Sequence, residues 1–398
     1  MEILVLTIKK TSITFVTLFC LQLHENISPN SHSMNKYDRQ IILKGFGTAG
    51  QERLLQAKVL VVGAGGLGCP ALQYLAAAGV GTIGIVDTDT VSETNLHRQV
   101  LYGVADIYHP KVECAKAALL RLNPDIDIQM YNLYLRASNA LEIIELYDII
   151  IDGTDNFHTR YMLNDACVLL GKPLIYGAVS QFEGQVAVFN YSTTAGKRGV
   201  NYRDIFPHPP KNNEVQNCAE AGVLGVLPGI IGTMQANETI KILAGIGEPL
   251  ADKLLTYNAL TNHTFELQLS TVPETMDLIP KDKLAFWNMD YIGLCSNPIS
   301  KYDIDFASFQ DVLDKEDVQI IDVRNEDETP VLDTFAHLRI PLPVLDDHWA
   351  DLTANTVVFF CKTGQRSKQA AQHFEAYIGS GSGKKIGSIG LYGKWDLL

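Results

Sequence analysis

The sequence has no pair of cysteines at C-x-x-C spacing. Its seven cysteines, Cys20, Cys69, Cys114, Cys167, Cys218, Cys295 and Cys361, are scattered and odd in number. That excludes a disulfide framework of the kind that staples small secreted domains, and a reducing compartment fits best. Positive charge is scarce: 32 Lys and Arg stand against 45 Asp and Glu, for a net charge of −13. A surface of that sign repels a phosphate backbone, so nucleic acid is not an expected partner, although a local basic pocket is allowed. No membrane-length apolar run stands out either. The run from about Ile13 to Leu23, behind Lys9 and Lys10, is too short for a span and precedes no small-residue cleavage site. Residues 1–33 are therefore read as an upstream extension from a mis-assigned start, with Met34 as the natural first residue, and the alternative is a targeting segment that resembles a weak signal peptide. No membrane partner and no internal repeat is expected.

What is present is a chain of 398 residues, 46% apolar and 19% charged, long enough for two or three domains with buried cores. From Tyr37 the pattern becomes regular. Tyr37-Asp38-Arg39-Gln40-Ile41-Ile42 opens a helix that ends near Gly45 and Gly47. Val59–Val62 is a continuous apolar run, as in a strand covered on both faces. A helix over 70–78 follows, with Pro70 in its first turn and Gly79 as its stop. Strands at 82–86, 149–151 and 174–176 and a helix over 112–122 complete an alternation that implies a doubly wound parallel sheet. Residues 191–217 read as a long polar loop and 226–244 as an apolar helix. Residues 272–298 show no period and read as a linker. A second, smaller α/β unit begins near Tyr302, with strands at 319–323 and 357–360 and a helix over 369–377.

Gly63-Ala64-Gly65-Gly66-Leu67-Gly68 lies between a strand and a helix. In that context backbone N–H groups and the helix dipole face a phosphate. Asp87 ends the next strand, where an acid can take ribose hydroxyls. These two features alone fit a nicotinamide dehydrogenase equally well. The residues beyond them favour a triphosphate, which carries more charge and needs cations and a metal-holding acid. Arg98 and Lys111 supply the cations, and Asp155, just past the strand at 149–151, can hold Mg²⁺.

Tyr37-Asp38-Arg39-Gln40, the Gly63–Gly68 loop, Asp87-Thr88-Asp89-Thr90-Val91, Thr94-Asn95-Leu96-His97-Arg98-Gln99, Pro110-Lys111-Val112-Glu113, Asp152-Gly153-Thr154-Asp155-Asn156 and Cys218-Ala219-Glu220-Ala221-Gly222-Val223-Leu224-Gly225 occur in that order. Together they resemble the ThiF/MoeB/HesA family, prokaryotic relatives of ubiquitin-activating enzymes, over about residues 35–269. The resemblance implies an ATP-dependent adenylation domain over 34–271. Its substrate would be the C-terminal glycine of a ubiquitin-like sulfur carrier of ThiS or MoaD type, in thiamine or molybdenum-cofactor synthesis. It implies that Gly66, Asp87, Asn95, Arg98, Lys111, Asp155 and Asn156 contact ATP. Gly63, Gly65, Gly68, Thr94, Leu96 and His97 belong to the same nucleotide-binding set. It also implies that Arg39 reaches the phosphates of the other subunit in a homodimer. Cys218 matches a family cysteine that can form a thioester or disulfide with the activated carrier. Many members hold structural zinc through two C-x-x-C pairs; here Asn201 and Asp204 stand at the first pair and the second is missing, so no structural zinc is expected.

After the linker, 272–299, residues 300–398 resemble a rhodanese domain. The strand at 357–360 runs into Cys361-Lys362-Thr363-Gly364-Gln365-Arg366-Ser367 and then a helix, and Gly393-Lys394-Trp395 fits the usual ending. A loop at a helix N-terminus favours a thiolate, and so a persulfide on Cys361 loaded from a persulfide or thiosulfate donor, with Arg366 expected to add positive charge. Cysteine phosphatases place five residues between Cys and Arg; here four separate Cys361 from Arg366. ATP chemistry favours the cytoplasm. The alternatives are an NAD-dependent oxidoreductase and a carrier-binding regulator with a degenerate rhodanese fold.

Overall fold

The computed structural model describes residues 36–192, 196–210, 222–295, 301–313, 315–326, 328, 330–362, 364–379 and 381–391. These residues cluster into two compact units. The first holds 36–155, 163–205 and 222–287; the second holds 156–162, 206–210 and the described residues from 288 to 391.

The first unit opens with two short helices, α1 (Asp38–Ile41) and α2 (Gly47–Gln56). The second is a correction to the sequence reading, which stops at Gly45 and Gly47. Gly45, at φ 90°, makes the turn, and Gly47 starts α2. Gly47-Thr48-Ala49-Gly50 is a weak helix former, and burial of Leu54 at 0% exposure overrides that weakness. There follow β1 (Lys58–Val62), α3 (Gly68–Ala78), β2 (Thr82–Val86), α4 (Lys111–Leu122), β3 (Asp127–Tyr131), α5 (Ala137–Glu145), β4 (Ile149–Asp152), α6 (Phe157–Leu170), β5 (Leu174–Ser180), β6 (Glu183–Phe189), α7 (Tyr202–Ile205), α8 (Val226–Ala244), β7 (Lys253–Asn258) and β8 (His263–Gln268).

The eight strands form one sheet in the order β3-β2-β1-β4-β5-β6-β7-β8. Pairing is parallel from β3 to β5 and antiparallel from there to β8. The parallel half is the doubly wound sheet expected from alternation. β4 is buried at every position and β1 at all but Lys58, because helices cover both faces. The antiparallel half adds strands that the alternation of helices and strands did not announce. β6 carries a buried run at Val186–Phe189, but its partner β7 is mostly half-buried and the edge strand β8 is exposed throughout. The β5–β6 hairpin turns at Gln181-Phe182, with Gln181 at φ 50°, where a glycine or asparagine would have announced the turn. Helix α8 lies against α3 at close range. A Cβ on Gly232 would sit 2.2 Å from the Leu67 carbonyl oxygen, so only glycine lets the two helices meet there.

Residues 272–295 are not featureless. They hold a 3₁₀ stretch (Pro273–Leu278), α9 (Lys283–Trp287) and α10 (Tyr291–Cys295), each too short to show a period in sequence. Phe286 of α9 is fully buried.

The second unit adds α11 (Phe306–Leu313), β9 (Val318–Asp322), β10 (Leu338–Arg339), β11 (Thr356–Cys361), α12 (Gln365–Ile378) and β12 (Lys385–Gly390). Its sheet, in the order β10-β9-β11-β12, is parallel throughout. Strand β11 supplies both of its cores. Phe359 packs with Trp349 and Phe374, and Phe360 with Phe309 and Ile389, because successive side chains leave opposite faces of a strand.

Candidate functional site

The sheet order reverses at β1, which has β2 on one side and β4 on the other. Loops at the carboxyl ends of strands on the two sides of such a switch point diverge and leave a crevice for a ligand. Gly63 ends β1 at φ 94°, and a Cβ there would lie 2.6 Å from the Gly153 carbonyl oxygen in the loop after β4. A Cβ on Gly68 would meet the Gly63 carbonyl oxygen at 1.9 Å. Gly66 sits against Pro228, and Gly65 near the Gln99 amide. Gly63 and Gly68 are thus demanded by backbone contact, and they bring loops 63–68 and 152–155 together at the N-terminus of α3.

Asp87 is tied to this loop. Its Oδ2 accepts the Ala64 N–H at 2.7 Å and its Oδ1 the Asp89 N–H at 2.8 Å. Burial pushes its carboxyl up, and the Lys111 ammonium opposes that shift. Lys111, 4% exposed at the start of α4, donates from Nζ to Asp89 Oδ2 at 2.7 Å. Asp89 is a site residue that the sequence reading passed over, although it stands two positions after Asp87. Tyr102 was also missed; its hydroxyl donates to the Ala64 carbonyl at 2.8 Å beneath the glycine loop. Cys69 lies there too, its thiol pushed up to about 12 by burial, which makes it inert packing.

The segment Thr94–Gln99 winds through a 3₁₀ turn (Glu93–Asn95), with Asn95 Oδ1 accepting the Ser92 N–H. Leu96 packs on the main core. Arg98 Nη1 donates to the Thr94 carbonyl at 3.1 Å and shares a 2.7 Å hydrogen bond with His97 Nε2. No acidic partner faces Arg98 among the described residues. Gln99, 4% exposed, leaves its Oε1 without a hydrogen-bond partner. Gln235 of α8 donates to the Asp152 and Ile175 carbonyls, clamping the end of β4. The Asp152 carboxylate accepts from the Thr154 N–H and hydroxyl in its own loop. Asp155 is exposed, and among the described residues it makes no hydrogen bond or ion pair. Asn156, the next residue in the chain, caps α6, its Oδ1 accepting the Thr159 N–H at 3.0 Å.

In the Tyr37–Gln40 motif the roles separate. Tyr37 is buried and accepts from Asn123 at 2.8 Å, and Gln40 donates to the Ala78 carbonyl at 2.8 Å. Arg39 points into solvent, with no acidic partner among the described residues. Cys218 lies outside the described residues.

Asp204, at a position where a zinc cysteine was expected to be replaced, is the hub of a polar clasp. It pairs with Arg198 at 2.6 and 2.9 Å, and accepts the Asn201 N–H, the Val272 N–H and the Thr275 hydroxyl. Burial pushes its carboxyl up, but the Arg198 guanidinium and these donors prevail and hold it below the usual carboxylate range. The clasp joins the segments around 198–204 and 272–275 through a carboxylate.

In the second unit Cys361 closes β11 and is buried. Gly364, at φ 91° on the cap of α12, directs its N–H at the Cys361 sulfur at 3.1 Å, and Ser367 Oγ lies 3.6 Å away. Arg366 lies in the first turn of α12. Its guanidinium is bidentate on Glu328, with Nη2–Oε2 at 2.9 Å, and this pairing drives the Glu328 carboxyl down to about 2. Asp322 and Arg324 form a second, buried pair at 2.7 Å. Thr363 and the Gly393-Lys394-Trp395 ending lie outside the described residues.

A glycine cradle at a sheet switch point, with an anchoring acid, a buried lysine and an unpaired carboxylate, defines an α/β enzyme that handles a nucleotide phosphate. Residues 37–276 match the model of the ThiF family, and the chain belongs to that family. It is similar to a sulfur carrier protein adenylyltransferase of Thermus thermophilus, 54% identical over 57% of this chain and 84% of that one. It is also similar to the probable adenylyltransferase/sulfurtransferase MoeZ of Mycobacterium tuberculosis, 41% identical over 84% of this chain and 86% of that one, a match that extends past residue 276. Among solved structures, Escherichia coli MccB with ATP shares the fold at a TM-score of 0.53 and 23% identity, covering 67% of this chain and 81% of that one. The chain is accordingly an adenylyltransferase, not a dinucleotide oxidoreductase. No described helix is long and apolar enough to cross a membrane.

Proposed function

We infer that this enzyme uses ATP to adenylate the C-terminal glycine of a ubiquitin-like sulfur-carrier protein, and passes it sulfur held by Cys361 in a rhodanese-like domain. The observation that carries the first half is the glycine cradle around Gly63 and Gly68, which admits a backbone-bound phosphate and no side chain. The residues present fit ATP. Asp87 has the position to accept ribose hydroxyls, and the unpartnered Gln99 Oε1 awaits a donor beside Gly65. Arg98 and Lys111 balance phosphate charge, and Asp155 is the carboxylate proposed to hold Mg²⁺. The ion would supply further charge neutralisation on the phosphates.

The carrier carboxylate attacks the α-phosphorus, the P–O bond to the β-phosphate breaks, and pyrophosphate leaves. No side chain has to move a proton for this. The protein's work is alignment and stabilisation of negative charge. Arg39, exposed and without an acidic partner, is proposed to complete the site of a second copy in a homodimer. Cys218 is proposed to form a thioester or disulfide with the activated carrier. For Cys361, the Gly364 N–H aimed at sulfur at 3.1 Å is a donor positioned on the atom proposed to carry the transferable sulfur. The second domain raises the effective concentration of that sulfur near the acyl adenylate. ATP points to the cytoplasm. Thiamine and molybdenum-cofactor carriers remain the two candidate substrates, and relatives named for molybdopterin synthase favour the second.

Carrier-dependent exchange of labelled pyrophosphate into ATP tests the reading. Exchange with a ThiS- or MoaD-type carrier is expected, and should vanish when the carrier's terminal glycine is removed. Exchange indifferent to the carrier would refute the substrate.

A further inference from the structure

The ion pair beside Cys361 has no place in the chemistry proposed so far. Arg366 sits in the first turn of α12, five residues after the sulfur, where a free guanidinium would draw an anionic sulfur donor. Both its arms are instead on Glu328. Glu328 is itself fixed, its Oε1 accepting the Asn325 N–H at 2.9 Å and its carbonyl accepting Arg339 Nη2 at 2.9 Å. Arg366 holds the Glu328 carboxyl near 2, so the pair stays ionised throughout the neutral range. Neighbouring cations are similarly engaged. Arg324 is closed on Asp322, and Arg339 donates to the Asn325 and Glu328 carbonyls. Lys362 is exposed to solvent.

We propose that Glu328 sets the sulfur donor: by occupying Arg366 it disfavours dianionic thiosulfate and leaves a persulfide as the preferred substrate of Cys361. The inference rests on the reading of Cys361 as the sulfur carrier. With thiosulfate, the Cys361 thiolate attacks the outer sulfur, the S–S bond breaks, and sulfite leaves with the electron pair. Two negative charges must be held at the loop from binding to departure, which calls for a free cation. With a persulfide R–S–SH, the thiolate attacks the terminal sulfur, R–S⁻ leaves with the electron pair, and the proton stays on the transferred sulfur. Only one negative charge develops, and a backbone N–H such as that of Gly364 suffices for the attacking sulfur.

The test uses the full-length protein and mass spectrometry of Cys361, with thiosulfate and cysteine persulfide as the two donors. Wild type should load faster from the persulfide. Glu328→Gln, close to isosteric, should raise the thiosulfate-to-persulfide ratio of loading rates about fivefold, the scale of a half-exposed charge pair. Adding Arg366→Gln should bring the ratio back to the wild-type value or below, which a merely structural role for Glu328 would not do. Loading of Cys361 from the persulfide by the same preparations monitors the folding of the second domain. A ratio unmoved by Glu328→Gln, in protein that loads normally, would overturn the inference and leave the reading of Cys361 standing. Absence of sulfur on Cys361 with both donors would overturn that reading and the inference with it.

Discussion

Two loops in this chain have the same local design and opposite electrostatics. Each joins the end of a buried parallel strand to a helix N-terminus, β1 to α3 and β11 to α12, and in each a glycine adopts positive φ, Gly63 at 94° and Gly364 at 91°. Around the first, Lys111 is paired with Asp89, but Arg98 and Asp155 have no partner of opposite charge among the described residues. Around the second, Arg366 is paired with Glu328 and Arg324 with Asp322. A loop that keeps a cation and a carboxylate unpaired is prepared for a ligand that brings several charges of its own. A loop that has neutralised itself suits a small sulfur group of low charge. The same backbone device thus serves two chemistries, and the side-chain charges decide which.

The comparison breaks most violently at the glycines. Gly68→Ala forces a Cβ to within 1.9 Å of the Gly63 carbonyl oxygen. It should cost about 3 kcal/mol or more and abolish exchange, measured by denaturant unfolding and the exchange assay. A variant with wild-type stability would mean the loop is not held as described.

Next in size is Asp155→Ala. Because Asp155 is exposed and unpartnered, its loss should leave the unfolding midpoint within about a degree, while exchange falls on the order of a hundredfold or more. Full activity would remove Asp155 from the site.

The Asp204 clasp sharpens a different contrast, between a metal staple and a carboxylate one. Asp204→Ala strands Arg198 and should cost about 3 kcal/mol, and wild-type stability should not change with added chelator. Asp204's carboxyl is held below its ordinary 3.8, so its contribution is present above that value and is lost as pH falls below it.

The effect at Glu328 is smaller. Its carboxyl is depressed from 4.5 to about 2, so the pair's contribution is complete above pH 4.5 and fades as pH falls toward 2. The pair is partly exposed, which limits the difference to about 1 kcal/mol. Acid titration of Glu328→Gln by circular dichroism should lack that component.

The subtlest effect concerns Arg39. Mixing Arg39→Ala with Lys111→Ala subunits should restore part of the exchange through hybrid sites. No recovery in a sample shown to contain hybrids would place Arg39 within its own subunit, or outside the site.

The parallel half of the first sheet was legible because burial on both faces writes unbroken apolar runs, as at Val59–Val62. The antiparallel half was not. β8 is exposed throughout, and Gln181 turns its hairpin without a glycine. The glycine loop, Asp87 and Lys111 could be read because backbone geometry and charge restrict residue type there. Glu328 could not, because it lies 38 residues from Arg366 and only folding makes them partners. Asp89 and Tyr102 were similarly hidden, an acid among acids and a tyrosine whose hydroxyl finds its acceptor 38 residues away. Cys218 was legible in sequence but lies outside the described residues.

The division of labour between the two loops is tested most directly by mass spectrometry of the carrier's C-terminus after incubation with ATP and a persulfide donor. Wild type should yield the thiocarboxylate. Cys361→Ser should still adenylate the carrier, detected by pyrophosphate exchange, and should yield no thiocarboxylate. Thiocarboxylate formed at the wild-type rate by Cys361→Ser would contradict the assignment of sulfur to the second loop.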